Sequence, residues 1–544
     1  MSKENNEVKK NGIIEGVKEW AKKTPPEFFS DVSDMLFKDH KKETITCIIT
    51  TYVMCFLCYF YEMIYGVGCP DLLCEGLRYY RNSDYSTSQA RWMIRFINMF
   101  AGKNVVMPSI TLILYCTMIG ISVLIICRMV KIHKPLYVGL LTAVMVSFPV
   151  ISHQIAYLYM ALAYSFSFLA VTVGVFLARK RKIVPFIVSV ICFLMMMGSY
   201  QAYVSAASAM AVMMLLYDAV SEEKIGKCFA NFGLTALAGL LGAIIDMPFS
   251  KLMMKIYHTG TEHRVSEFSF ASIKENIGFS LKYSYVWFFS YFDDDVLARD
   301  IIYKVIFAVI IVLSIVIIVI KIKDKKVAHA LTALFAILVL PLSMNLILIL
   351  IPTGGVRDLM RYQYVLVFAI LLFLHSYIGK KIYNNLLAYV SIAMIVLTLF
   401  GNILAANCTT FMYKYCYDYA EKQALLMLEE IYEIPEYDPD KTPIVMGGAF
   451  SYTPIKQRYP QIFMYAEQEG GIIFWNNIYG MISCRYHFFM DYMGVNAEYF
   501  TSQEYLEAVQ SEEYAEMPVW PEKGSIQMIG DKVVVKLWEQ APDR

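Results

Sequence analysis

Apolar residues along this chain come in runs of about 18 to 22, separated by short connectors that often carry Lys and Arg. An α-helix rises about 1.5 Å per residue, so each run can cross a hydrocarbon core of about 30 Å. The runs lie near 44–64, 105–127, 136–155, 156–178, 183–199, 202–217, 229–247, 301–320, 327–351, 362–378 and 383–404, about eleven in all. The pattern predicts an all-α polytopic membrane domain over 44–404, because a helix satisfies its own backbone inside lipid. Residues 1–43 are polar and lack the apolar core and small-residue cleavage site of a secretory signal. They read as a cytoplasmic segment ahead of an uncleaved first span.

Two stretches break this rhythm. Between 248 and 300 the chain is amphipathic, and its aromatic run over 283–292 is too short to cross, which fits a helix lying at the interface. From residue 405 the composition turns soluble. A helical period over 411–434 puts Ala424, Leu425, Leu428 and Ile431 on one face ahead of Pro435. Ile444-Val445-Met446 before Gly447-Gly448 reads as a strand and turn. Residues 525–538 alternate as a hairpin, with Ile526 and Met528 facing Val533, Val535 and Leu537 across Gly530-Asp531. About 140 residues can bury a core, so 405–544 is expected to form a small C-terminal α+β domain.

Composition excludes an ordinary soluble enzyme: of 544 residues 58% are hydrophobic and 17% charged, with mean hydropathy +0.48. The net charge of +1 hides an asymmetry, since 405–544 hold 21 Asp and Glu against 10 Lys and Arg. Lys and Arg gather on the cytoplasmic side of membrane proteins. Alternating the spans from a cytoplasmic N-terminus puts Arg128/Lys131/Lys134, Arg179-Lys180-Arg181-Lys182, Lys321/Lys323/Lys325/Lys326 and Lys380-Lys381 on the inner side. Only the connector over 218–227 is indifferent. The outer face then receives the loops 65–104, 248–300 and 348–361 and the whole C-terminal region, giving a multi-pass cell-membrane protein with an extracytoplasmic C-terminal domain. The lipid bilayer is its expected partner, and no nucleic acid is.

Candidate chemistry concentrates on that outer side. The first outer loop holds Asp71, Glu75, Arg78, Arg81, Arg91, Trp92 and Arg95, and the short late loop holds Arg357 and Arg361. Guanidinium groups hold phosphate oxygens bidentately, so a phosphate-bearing ligand fits; cations that bind lipid headgroups fit equally well. Arg91-Trp92 also reads as an interfacial anchor, and Tyr200-Gln201 as a tight turn between spans. Glu62, His153, Gln154, Tyr200, Gln201, Asp246 and Asn345 all fall towards the outer ends of their spans, where together they point to a wet, outward-opening cavity. Asp293-Asp294-Asp295 has ligand chemistry for a divalent cation, and that of a solvated helix start. Cys69 and Cys74 share the first loop as a candidate disulfide, and no Cys/His cluster has metal-site spacing.

In these residues the chain resembles bacterial glucosyltransferases of the Gtr type II kind, which modify O-antigen and related surface polysaccharides. The likeness rests on Pro70-Asp71 after the first span, Ala90-Arg91-Trp92 about 20 residues later, Tyr200-Gln201-Ala202-Tyr203 in the middle and Arg361 before a late span. It covers roughly 44–404. Two positions depart from the family pattern: Leu72 and Leu73 stand where further acids are usual, with Glu75 the nearest substitute, and Ala90 replaces a glycine.

The resemblance implies a GT-C-like membrane glycosyltransferase of the cell envelope. It would take a sugar, by default glucose, from a polyprenyl-phosphate-linked donor and pass it to a surface polysaccharide or cell-wall acceptor at the outer face. Such transfer needs a base for the acceptor hydroxyl and cations for the departing phosphate. Asp71, with Glu75 beside it, is the implied base. Arg91, with Arg361 behind it, is the implied phosphate clamp, and Trp92, Tyr200, Gln201 and Arg78 complete the implied binding set. A sugar-lipid transporter or flippase also needs outward polar residues, but the span pattern lacks obvious internal duplication and paired broken helices. A non-catalytic glycan-binding protein on the same scaffold is the third class.

Overall fold

The computed structural model describes residues 38, 40–67, 83–100, 102, 105–260, 270–289, 299–350, 357–381, 385–448, 457–465 and 502–537. The first span is α1 (Lys41–Tyr65), followed by two short helices, α2 (Ser83–Ser88) and α3 (Met93–Phe100). Then come α4 (Pro108–Met129), α5 (Pro135–Ser147), α6 (Val150–Ile155), α7 (Leu158–Ala178), α8 (Ile183–Ser199), α9 (Val204–Val220) and α10 (Ile225–Ile256). The second half holds α11 (Phe270–Phe289), α12 (Arg299–Lys323), α13 (Val327–Met344), α14 (Ile347–Leu350), α15 (Leu366–Lys381) and α16 (Asn385–Tyr432).

Among the described residues, eight helices are long and apolar enough to cross a membrane: α1, α4, α7, α9 with the turn before it, α10, α12, α13 and α16. Three shorter apolar helices, Pro135–Ser147, Ile183–Ser199 and Tyr362–Ile378, coincide with three further predicted runs. α1 shows how the bundle sorts its residues. It exposes Ile49, Val53, Phe56 and Phe60 while burying Cys47, Thr51, Cys55 and Cys58. Small and weakly polar groups face protein and large apolar ones face outward, as helix packing in lipid favours. Gly120 of α4 lets α1 approach so closely that a Cβ there would collide with Thr51, and Gly242 of α10 does the same against Phe193 of α8.

Several expected boundaries differ. The run expected to cross over 136–155 is broken at Phe148-Pro149, because proline forces the residue before it out of helical geometry; Phe148 has ψ 132°. The carbonyls this frees are taken by tyrosines, Tyr362 Oη donating to Met145 at 2.7 Å and Tyr59 Oη to Val146 at 2.8 Å. The run over 327–351 is broken at Asn345. There Asn345 Nδ2 donates to the Ser284 carbonyl at 3.1 Å, Gln363 Nε2 to Met344 at 2.6 Å, and the Ile347 amide to Ser205 Oγ at 2.9 Å. Buried backbone groups must find partners, and side chains of neighbouring helices supply them.

α10 continues through Pro248 to Ile256, past the point where an outer loop was expected. The aromatic stretch expected to lie at the interface begins inside α11, which packs beside α13, with Tyr285 Oη donating to the Leu338 carbonyl at 2.6 Å.

The last span and the helix expected over 411–434 are one continuous helix, α16, so the change in composition at 405 falls within it. Its C-terminal half buries Ala424, Met427, Leu428 and Ile431, while Leu425 is exposed. The face is the 0, 3, 4, 7 stripe of a helix, and Leu425 sits about 100° round from Ala424. Against this end lies a three-stranded sheet in the order β1 (Ile444–Gly447), β3 (Lys532–Lys536), β2 (Ile526–Ile529). β2 and β3 form the expected hairpin, Ile526 opposite Val535 and Met528 opposite Val533, and β1 adds to β3 in parallel. Trp520 Nε1 ties this region to α16 by donating to Gln423 Oε1 at 2.7 Å.

One end of the bundle is an ion network that explains the indifferent connector. Arg179 holds Asp218 with two bonds of 2.9 and 2.6 Å, and Asn231 Nδ2 adds a third at 3.1 Å. Fully buried Lys321 donates to Glu222 and to the Val220 carbonyl, both at 2.7 Å, and Lys326 pairs with Glu222 as well. The 218–227 connector is thus the acidic partner of the basic connectors around it. Hydrogen bonds from Lys321 and Lys326 pull the Glu222 carboxyl from 4.5 down to about 2. A depressed carboxylate stabilises the fold above its unfolded pKa, and that contribution disappears as pH falls through the folded value. Glu222→Gln should therefore lower the melting temperature fully above pH about 5, with the gap to the parent closing towards pH 2 in a thermal-unfolding series.

Candidate active site

At the opposite end of the bundle, α2 and α3 lie against the helix ends of α8 and α10. α2 closes with the Ala90 amide on the Thr87 carbonyl at 3.0 Å and the Arg91 amide on Ser86 at 2.9 Å. This is the six-to-one and five-to-two pattern of a Schellman cap, with Ala90 in the left-handed position at φ 60°. Glycine takes that conformation without penalty, which accounts physically for the glycine usual at this place. Ala90→Gly removes about 1–2 kcal/mol of left-handed strain and returns about 0.4–1 kcal/mol through the unfolded chain. A net gain of about 1 kcal/mol, read as a raised unfolding midpoint, is expected.

The cap aims the next two side chains. Trp92 is buried, and its indole fills the space left by Gly198 at the end of α8. Its Nε1 donates to Asp246 Oδ1 of α10 at 2.8 Å, and Phe249 packs edge-on with ring centroids 4.6 Å apart. Arg91 sets its guanidinium 5.1 Å from the centre of the Tyr200 ring, and its Nε is buried without a hydrogen-bond acceptor among the described residues.

Tyr200 is the extended residue between α8 and a 3-10 turn over Gln201–Tyr203. That turn reaches back to the cap, Gln201 Nε2 donating to the Ala90 carbonyl at 3.1 Å. The two sequence motifs are therefore one unit: Gln201 holds the cap, Tyr200 lies under Arg91, and the helix end carrying them supports Trp92.

Gln154 of α6 joins this unit to the late loop. It accepts from Tyr115 and donates through Nε2 to Tyr203 Oη at 3.1 Å and to the Leu359 carbonyl at 2.7 Å. Leu359 belongs to a short turn, Asp358–Met360, directly before Arg361. Arg361 pairs with Asp358 at 3.1 Å and stands 4.3 Å over the Trp287 ring of α11. Of the outward polar residues expected from the sequence, Glu62, His153, Gln154, Asp246 and Asn345 are all buried at this end.

Asp71, Glu75 and Arg78, the candidate disulfide Cys69/Cys74 and the triad Asp293-Asp294-Asp295 lie outside the described residues. Asp84, a nearby carboxylate, is held by Arg95, whose guanidinium lies 3.8 Å over the Tyr257 ring. Two contributors are absent from the sequence-derived binding set, Asp246 and Gln154. Their signal was present: a carboxylate and an amide inside apolar runs are costly unless partnered. Among the described residues, no three His, Cys, Asp or Glu side chains at this end bring their ligand atoms together.

Among the described residues, eight helices long and apolar enough to cross a membrane, with a cation-aromatic cluster at one end, mark a multi-pass membrane protein with a polar site at the bundle's edge. The family model described as glucosyl transferase GtrII matches residues 76–374, more than half of the chain, and the protein belongs to that family. It is therefore a membrane glycosyltransferase. No curated protein and no solved structure gives a significant match.

Proposed function

We propose that this glucosyltransferase takes its sugar from a polyprenyl-phosphate carrier at the outer face and hands it to a surface polysaccharide or cell-wall polymer. Asp71, with Glu75 as the alternative carboxylate, removes the proton from the acceptor hydroxyl. Arg91 receives the departing phosphate, with Arg361 and Arg78 adding positive charge and Trp92, Tyr200 and Gln201 fixing the geometry. The N-terminus is cytoplasmic and the residues after 404 form an extracytoplasmic domain, since the basic connectors gather at the end opposite the site.

The observation that carries this reading is the convergence of Arg91-Trp92 with Tyr200-Gln201 around a left-handed cap. It leaves a guanidinium nitrogen, Arg91 Nε, buried without an acceptor among the described residues. A buried donor of this kind stabilises charge that appears on a leaving phosphate, and the field is strong where water is excluded.

The test is full-length protein in liposomes given radiolabelled polyprenyl-phosphate glucose, with and without acceptor polysaccharide. Transfer or hydrolysis is expected. Movement of the lipid without cleavage would make the protein a flippase, and binding alone a glycan receptor. Arg91→Lys keeps the charge and loses the fork, a loss of about 1.5 kcal/mol or more for a charge-assisted bond, so the donor KM should rise about tenfold. An unchanged donor KM would remove Arg91 from the donor site.

A further inference from the structure

We propose a transition-metal site at the other end of the bundle, built from His40, Glu43 and His133. It rests on side chains remote from the sugar site and does not depend on the reading above. His40 is the cap residue of α1, Glu43 lies in that helix's first turn, and His133 belongs to the connector between α4 and α5. Their ligand atoms all fall within 4.8 Å of one another.

Three features mark the group as more than neighbours. His40 Nδ1 and Glu43 Oε1 are 3.6 Å apart, too long for a hydrogen bond. That spacing is close to the roughly 3.3 Å separating two ligands of a tetrahedral zinc bound at about 2.0–2.1 Å. His40 Nδ1 is buried and has no hydrogen-bond partner, although the ring itself is part-exposed. The two imidazoles stack with centroids 5.0 Å apart and planes at 10°, which holds the His133 ring against the start of the first span.

Two imidazoles and one carboxylate are a donor set for zinc and its first-row neighbours, whereas magnesium and calcium prefer oxygen alone. Exposed His133 leaves room for water at a fourth position. A bound ion would tie the start of the first span to the connector that enters α5. Arg128 is a neighbouring cation: its guanidinium donates to Thr44 Oγ1 at 3.2 Å and also attracts the Glu43 carboxylate, a charge that a bound ion would share.

Zinc titrated into the full-length protein in detergent, in competition with a chromophoric chelator, tests the proposal. One equivalent is expected, with affinity falling more than tenfold in His133→Ala and in His40→Ala and unchanged in His258→Ala. Added zinc should raise the melting temperature of the parent and of His258→Ala, and leave the other two variants unmoved. Cobalt in place of zinc should give ligand-field absorption that His133→Ala abolishes. Equal zinc affinity in the parent and His133→Ala, or loss of the bound equivalent in His258→Ala, would overturn the assignment.

Discussion

Asp71→Asn should accumulate in membranes like the parent and lose sugar transfer by about 10² to 10⁴, the usual worth of a positioned general base. Asparagine keeps the size and the hydrogen-bonding oxygen of aspartate and cannot take up a proton at neutral pH. An acceptor hydroxyl would then have to attack while still carrying most of its proton. Membrane abundance and detergent gel filtration check the fold, and transfer from polyprenyl-phosphate glucose checks the chemistry. Parent-like transfer by Asp71→Asn eliminates the assignment. A loss confined to Glu75→Gln would move the base four residues along, a plausible shift given that Leu72 and Leu73 occupy the places where further acids are usual. Asp84 is a weaker contender because Arg95 already neutralises it.

Gly198→Ala should be almost as damaging, although residue 198 touches no substrate in the proposed scheme. A Cβ at this position would fall well inside van der Waals distance of the Trp92 indole. The ring has little room to retreat, since Phe249 and Phe96 flank it. Overpacking of this kind costs about 1–3 kcal/mol. The larger effect comes through geometry: moving Trp92 breaks its bond to Asp246 and drags Arg91, the adjacent residue, away from Tyr200. A misplacement of about 1 Å at a reacting centre costs about 10² in rate. We therefore expect transfer to fall about 10²-fold with membrane insertion intact. Near-parent transfer together with a parent-like melting temperature would mean that Trp92 does not position Arg91.

The membrane class, the places of the apolar runs and the hairpin were legible because each depends on residues close in sequence. Run length against bilayer thickness names a span, and alternation across Gly530-Asp531 sets the register of Ile526 with Val535. Local pattern also placed Asp246, Gln154 and Asn345 at one end of their spans. It misjudged how helices stop. Pro149 breaks a run and Pro248 does not, and α16 passes through residue 405 without a break, because neighbouring helices decide whether freed backbone groups find partners.

Residue chemistry was thus readable one position at a time, from hydropathy, charge and period. Pairing was not. Gln201 meets a carbonyl 111 residues away, Trp92 a carboxylate 154 away, and His40 a ring on another connector. A chain can bring such positions together in many ways. Close packing of glycine-lined helices selects one of them, and with it which arginine lies over Tyr200 and which carboxylate receives the indole.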